Sequence, residues 1–201
     1  MMHFQDAAAW EAWLAAHHAS ADGVWLKIAK KGAPVTSLRI GEALEVALCH
    51  GWIDSHRRAL DEHFYLQRYS RRRAGSPWSR INVERAEALV AAGRMRPAGM
   101  AEIEAARADG RWDAAYAAQR DVTVPPDLAA ALDADPRAAA GFAALGKTGR
   151  YLAILPLLKA RTPAAARRGW PGRSPAWPLT PRRRRAGRPP AAAPPAWADA
   201  R

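Results

Sequence analysis

The 201-residue sequence has a single cysteine, no long apolar run and few acidic residues. Because Cys49 has no second cysteine to pair with, an intrachain disulfide is excluded, which fits a reducing compartment. No stretch approaches the ~18–20 apolar residues of a membrane span. The first residues show neither the basic region nor the apolar run of a signal peptide. We therefore predict a cytoplasmic protein without a membrane span.

Acidic residues are scarce relative to basic ones: 19 Asp and Glu stand against 31 Lys and Arg, a formal net charge of +12. This excess favours acidic partners such as nucleic acid, anionic lipid or acidic protein. The charge is uneven, because residues 169–201 carry seven arginines against one acid. The rest of the chain is therefore only moderately basic.

The C-terminal segment 169–201 has eight prolines, the arginine run 182–185 and no apolar periodicity. Such a segment cannot bury enough surface to offset its chain entropy. The sequence predicts a disordered Pro/Arg-rich tail, which is either a selected tail or an out-of-frame continuation of the coding sequence. The arginine run would bind polyanions nonspecifically in both cases.

Alternating apolar residues predict strands in the first part of the chain. Val24, Leu26 and Ile28 share one face of a strand near 23–30. Two further strands are predicted near 52–59 and 62–70, joined as a hairpin. Together with helices before and after them, these strands predict an α+β fold with a small antiparallel sheet.

Helical spacing surrounds the hairpin. Ser37 and Ser79 are candidate N-caps for the helices that precede and follow it. We divide the chain into an α+β portion at 1–78 and a helical portion at 79–168, which belongs to the same domain or forms a subdomain. Pro156 falls inside the last predicted helix, where proline costs on the order of 3 kcal/mol unless it is accommodated.

The stretch from 50 to 85 contains eight arginines, two tryptophans, two tyrosines and one phenylalanine. In one interpretation it is structural, because Asp54 can form a bidentate ion pair with Arg57, Arg58 or Arg68. In the other, the arginines bind an anion while an aromatic ring supplies a stacking face. The candidate binding surface comprises Trp52, Asp54, Arg57, Arg58, Tyr65, Arg68, Arg71, Arg72 and Trp78.

Residues in or next to the same stretch also suggest other chemistry. The arginine run 71–73, followed by Trp78, is a pattern that nucleic-acid binding uses, although a charge run is also typical of a solvated face. Cys49 and His50, with Asp54 nearby, are candidates for an enzyme site, but Cys49 and His50 are neighbouring helix positions, and such positions do not face each other. The three histidines of the stretch match no familiar zinc spacing. We assign no catalytic residue, metal ligand or cofactor. The histidines are His50, His56 and His63.

Ordered motifs run through residues 4–168. They include Cys49-x-Gly51-Trp52-Ile53-Asp54, Tyr65-Leu66-Gln67-Arg68, Ser76-x-Trp78-Ser79-x-x-Asn82 and Asp109-Gly110-Arg111-Trp112. Together they resemble the YdeI/OmpD-associated (OmdA) family, also called bacteriocin-protection proteins. Pro156 and the tail after 168 depart from that family's pattern.

The resemblance implies a non-enzymatic bacterial protein that protects against bacteriocins or cationic antimicrobial peptides by binding. The arginine-rich hairpin would be its recognition surface, with an anionic ligand or a protein partner that the sequence does not identify. The family name also implies association with an outer-membrane porin and a periplasmic role, whereas the sequence itself predicts the cytoplasm. Nucleic-acid binding and an enzyme site near Cys49 and Asp54 stay as alternatives.

Overall fold

The structure is a computed structural model that describes residues 1–160. The predicted tail at 169–201 lies outside the described residues. The chain divides into two compact units, residues 1–123 and residues 124 onward. The predicted division between 78 and 79 stays a prediction.

The described residues form seven helices and three strands, which confirms the predicted α+β class. The helices are α1 (Ala7–His17), α2 (Ile40–Cys49), α3 (Arg80–Ala91), α4 (Pro97–Ala108), α5 (Pro126–Ala134), α6 (Pro136–Ala143) and α7 (Lys147–Leu158). The strands are β1 (Val24–Ala29), β2 (Trp52–Ala59) and β3 (Phe64–Arg71).

The three strands form an antiparallel sheet in the order β1-β3-β2, so the last strand in sequence lies in the middle. Asp61 closes the β2–β3 turn, because its Oδ1 accepts from the backbone N–H groups of His63 (2.9 Å) and Phe64 (2.8 Å). A bulge between Asp54 and Arg57 shifts the β2–β3 register. The bulge changes the face to which the arginines of β2 project.

One core lies between the sheet and the first two helices, as the alternation of Val24, Leu26 and Ile28 predicts. We call it the sheet core. Trp10 of α1, Trp52 of β2 and Tyr69 of β3 are completely buried there. The Trp10 ring contacts both the Trp52 ring and the Tyr69 ring, and these contacts help to hold α1 on the sheet.

A second core, the helix core, joins the end of α2 to α3 and α4. The Trp78 and Trp112 rings meet in it with centroids 4.8 Å apart at 61°. Gly99 of α4 lies against the end of α2, where an added Cβ would be 2.5 Å from the Cys49 carbonyl oxygen. The close approach of the two helices therefore depends on this glycine.

One of the two serine caps is confirmed. The Ser79 hydroxyl accepts from the Asn82 backbone N–H (3.3 Å) at the start of α3. The Ser37 prediction was wrong, because α2 begins at Ile40 and the Ser37 hydroxyl accepts from the Ala29 backbone N–H (3.2 Å). Ser37 thus fastens the end of β1 and does not cap a helix.

The second unit is helical in its described part. Asp135 caps α6 by accepting from the backbone N–H groups of Arg137 (3.0 Å) and Ala138 (3.1 Å). Pro156 lies inside α7, two residues before its end. Because proline has no N–H, the bond that this position would donate to the Leu152 carbonyl oxygen is missing from the last turns of α7.

Candidate functional site

The two tryptophans of the predicted surface lie in different cores. Trp52 is 0% exposed in the sheet core, and its Nε1 donates to the His18 carbonyl oxygen (3.1 Å). Trp78 is 2% exposed in the helix core. The structure therefore does not bring these two rings together, and both pack against protein.

Arg57 and Tyr65 lie at one end of the sheet, on the side of the sheet core. The Arg57 guanidinium carbon is 4.7 Å from the centre of the Tyr65 ring, and its Nε donates to Gln67 Oε1 (2.9 Å). Gln67, which is buried, returns a bond from Nε2 to the His56 carbonyl oxygen (3.2 Å). At this end of the hairpin, Arg57 and Gln67 therefore have hydrogen-bond partners within the protein.

Asp54 forms no ion pair with any arginine of the described chain, so the predicted pairing with Arg57, Arg58 or Arg68 was wrong. The bulge after Asp54 explains the difference, because it turns Arg57 toward Gln67. Burial raises the pKa of the Asp54 carboxyl above its ordinary value, and nearby arginines oppose that rise only in part.

Arg58 and Arg68 project from the opposite side of the sheet. The Arg58 guanidinium carbon is 4.8 Å from the centre of the Trp25 ring. Arg68 is the cross-strand neighbour of Trp25. An aromatic ring and two guanidinium groups therefore share the side of the sheet that faces away from the sheet core.

Three of the predicted arginines come together in a cavity of about 330 Å³ at the end of β3. We call it the arginine pocket. It is lined by Asp22, Arg68, Ser70, Arg71, Arg72 and Arg73. Four arginines and one carboxylate give the lining a net charge of three positive units, so the pocket suits an anion.

Arg71 forms one wall of the arginine pocket. Its Nη2 is 2.8 Å from Asp22 Oδ1, and its Nη1 donates to the Ala19 carbonyl oxygen (3.1 Å). These bonds tie the end of β3 to the loop after α1. Arg68 and Arg73, by contrast, have no ion pair within residues 1–160.

Arg72 is only 7% exposed and lies on the Trp78 ring, with its guanidinium carbon 3.6 Å from the ring centre. Nη1 makes a long bond to the Pro77 carbonyl oxygen (3.5 Å), while Nε and Nη2 have no hydrogen-bond partner in the described chain. Burial lowers the pKa of Arg72 to about 10. The group is still charged at neutral pH and has no carboxylate partner within residues 1–160.

This arrangement can hold a phosphate or carboxylate. Guanidinium groups bind both with paired hydrogen bonds, and partial burial strengthens them. The arginine run 71–73 drew attention to three of the lining residues. Sequence reasoning missed Asp22 and Ser70 as lining residues, since no local pattern places Asp22 beside β3.

The candidate enzyme site is poorly disposed for nucleophilic chemistry. Cys49 is buried, and burial raises the pKa of its thiol. Burial, followed by the neighbouring His18, lowers the pKa of His50. Within residues 1–160, no three His, Cys, Asp or Glu side chains are grouped as metal ligands would be.

Sequence reasoning missed a second cavity entirely. It has a volume of about 520 Å³ and is lined by Glu11, Ala12, Ala15, His18, His50, Arg96, Pro97 and Ala98. We call it the α1–α4 groove. Its lining comes from three separate segments, so only the folded chain assembles it. Nothing in their spacing could have revealed it.

Comparison with protein families gives two matches. Residues 2–102, half of the chain, match the family described as a domain of unknown function (DUF8412). Residues 121–168 match the family described as Bacteriocin-protection, YdeI or OmpD-Associated (OmdA), which confirms the resemblance over that segment. The motifs of the hairpin lie in the DUF8412 segment. No curated protein and no solved structure matches.

None of the helices within residues 1–160 has the length and apolar character needed to cross a bilayer.

Proposed function

Because the chain belongs to the DUF8412 family and also matches the OmdA family over residues 121–168, we propose that it is a bacteriocin-protection protein that acts by binding. Its ligand is an anion carrying a phosphate or carboxylate group. The arginine pocket is the binding site. Cytoplasmic location, expected from the sequence, remains part of the proposal.

The observation that carries the proposal is the state of Arg72. A guanidinium that is 7% exposed and has two nitrogens without a partner is unfavourable in the free protein. An anion in the pocket would supply the missing acceptor. Arg68 and Arg73, which have no ion pair in the described chain, add charge to the same cavity.

The charge of the pocket also bears on how protection would work. A cationic peptide would be repelled by the lining, so the pocket does not suit direct capture of the peptide. An anionic cell component fits better, and protection would follow indirectly from its binding. The only support for association with a porin is the wording of the OmdA family description.

The experiment is a calorimetric titration of the full chain with inorganic pyrophosphate at low salt. Arg68→Ala should weaken binding about tenfold or more, since each charge-assisted bond contributes about 1.5–3 kcal/mol. Arg39→Ala is the matched control. Arg39 is exposed, lies just before α2 and does not line the arginine pocket. The Arg39→Ala chain should bind like the parent.

A bacteriocin challenge of cells that express each variant links binding to protection. We expect Arg68→Ala to lose protection and Arg39→Ala to keep it. If pyrophosphate does not bind the parent chain, or if both variants bind and protect equally, the arginine pocket is not the working site.

A second candidate is single-stranded nucleic acid, favoured by the arrangement of Trp25, Arg58 and Arg68 on the outer side of the sheet. Aromatic rings stack on unpaired bases while arginines neutralise phosphates. The test is oligonucleotide binding across salt concentrations, using a chain truncated after Arg168. Absence of binding at low salt removes this candidate.

A further inference from the structure

The α1–α4 groove lies where the end of α2, marked by His50, meets the start of α4 beside α1. Its volume of about 520 Å³ falls within the usual size of small-molecule sites. It shares no lining residue with the arginine pocket. The groove is therefore a separate candidate site from the arginine pocket.

His50 gives the groove a polar group in need of a partner. The side chain lines the groove, is 5% exposed, and its Nε2 has no hydrogen-bond partner in residues 1–160. The His18 ring lies next to it, with centroids 5.5 Å apart at 54°. Buried polar atoms are nearly always hydrogen-bonded, so an unpartnered one is a reason to expect a ligand.

The charges in the lining cancel. Arg96 donates from Nε (3.2 Å) and Nη2 (2.5 Å) to the same oxygen of Glu11. Burial, followed by the nearby His18, lowers the pKa of His50, which keeps the imidazole neutral at pH 7. A charged ligand would find no uncompensated charge to pair with in this lining.

The remaining lining is small and apolar. Ala12 and Ala15 contribute one wall from α1, while Pro97 and Ala98 contribute the other from the first turn of α4. We propose that the α1–α4 groove binds a small uncharged molecule with an apolar body and one hydroxyl or amide group, which hydrogen-bonds to His50. The apolar body lies between the alanines and Pro97.

Phenol and toluene are matched probes, because they share a ring and differ in the hydroxyl. We expect NMR titration of the full chain to show phenol shifting signals of the groove residues, with an affinity about tenfold higher than that of toluene. The Arg68→Ala chain should bind phenol like the parent, because its change lies in the other pocket. Failure of the groove proposal can therefore be distinguished from failure of the proposed anion site.

Two alanines on α1 provide the variant and its control. Ala15→Leu fills the groove and should weaken phenol binding about tenfold or more. Ala16→Leu adds the same side chain at the next exposed position, outside the lining, and should leave binding unchanged. His50→Leu should reduce phenol binding to the level of toluene.

Three results would each overturn the proposal. The first is no signal change with phenol, the second is equal affinity for phenol and toluene, and the third is an equal effect of Ala15→Leu and Ala16→Leu. Circular dichroism of each variant establishes that it is folded before it is titrated. Since the Ala15→Leu comparison does not involve His50, the test stands even where His50→Leu fails to fold.

Discussion

Replacing Arg72 by methionine separates a structural role of this residue from a binding role. The lowering of the Arg72 pKa to about 10 means that its surroundings, above all its burial, disfavour the charged form by about 3 kcal/mol. The contact with Trp78 at 3.6 Å returns about 2 kcal/mol. The long bond to the Pro77 carbonyl oxygen adds less than about 1 kcal/mol. These contributions nearly cancel.

Methionine removes the charge and keeps a flexible chain against the ring. A sulfur–aromatic contact contributes about 0.3–1.5 kcal/mol, and apolar replacements of buried charges are often neutral or stabilising. We therefore expect Arg72→Met to leave the free energy of unfolding unchanged or to raise it by about 1 kcal/mol. Pyrophosphate binding should fall about tenfold or more in the same variant.

The assay is urea unfolding followed by circular dichroism, with Arg39→Met as the control. Arg39 is exposed, so its replacement should change the free energy of unfolding by less than about 0.5 kcal/mol. A loss of more than about 2 kcal/mol in Arg72→Met, together with unchanged pyrophosphate affinity, would refute the reasoning. Arg72 would then be a structural residue whose charge the folded chain satisfies.

Gly99→Ala should destabilise the protein by about 1–3 kcal/mol, because its Cβ would lie 2.5 Å from the Cys49 carbonyl oxygen. Gly41→Ala, which has no atom within 4 Å of the added Cβ, should be neutral or stabilising in the same urea titration. Glu11→Gln tests the pair with Arg96. That hydrogen bond lowers the Glu11 pKa below 4.5, so its stabilisation is present above this value and is lost as pH falls through the folded pKa. Parent and Glu11→Gln should therefore differ slightly in unfolding free energy at pH 7 and converge at acidic pH; a constant difference would contradict the pairing.

Local patterns predicted the elements well. The alternation of Val24, Leu26 and Ile28 predicts β1, and the predicted strand at 52–59 coincides with β2. The Ser79 cap was predictable because its partner lies three residues away. The role of Ser37 was not predictable, since its hydroxyl accepts from the Ala29 N–H in a neighbouring segment. This tertiary contact competes with capping.

The candidate site was predictable only in part. Arg71 and Arg72 are adjacent to each other and near Arg68, so the chain itself places them together at the end of β3. The position of Asp22 beside Arg71 comes from the fold, because the two are joined only once α1 packs on the sheet. The separation of Trp52 and Trp78 into two cores is likewise a tertiary outcome.

The outer strands of the sheet have a consequence for how the protein meets other chains. Beside β1, the Met2 backbone donates to the Trp25 carbonyl oxygen (2.8 Å) and accepts from the Lys27 N–H (2.8 Å). Beside β2, the bulge at Asp54 interrupts the strand before the exposed Arg57. Exposed strand edges can pair with strands of other molecules. A segment that covers the edge, a β-bulge or charged side chains prevent this pairing. Both edges of this sheet are therefore guarded against strand addition, and a partner has to approach a face or a pocket of the folded chain.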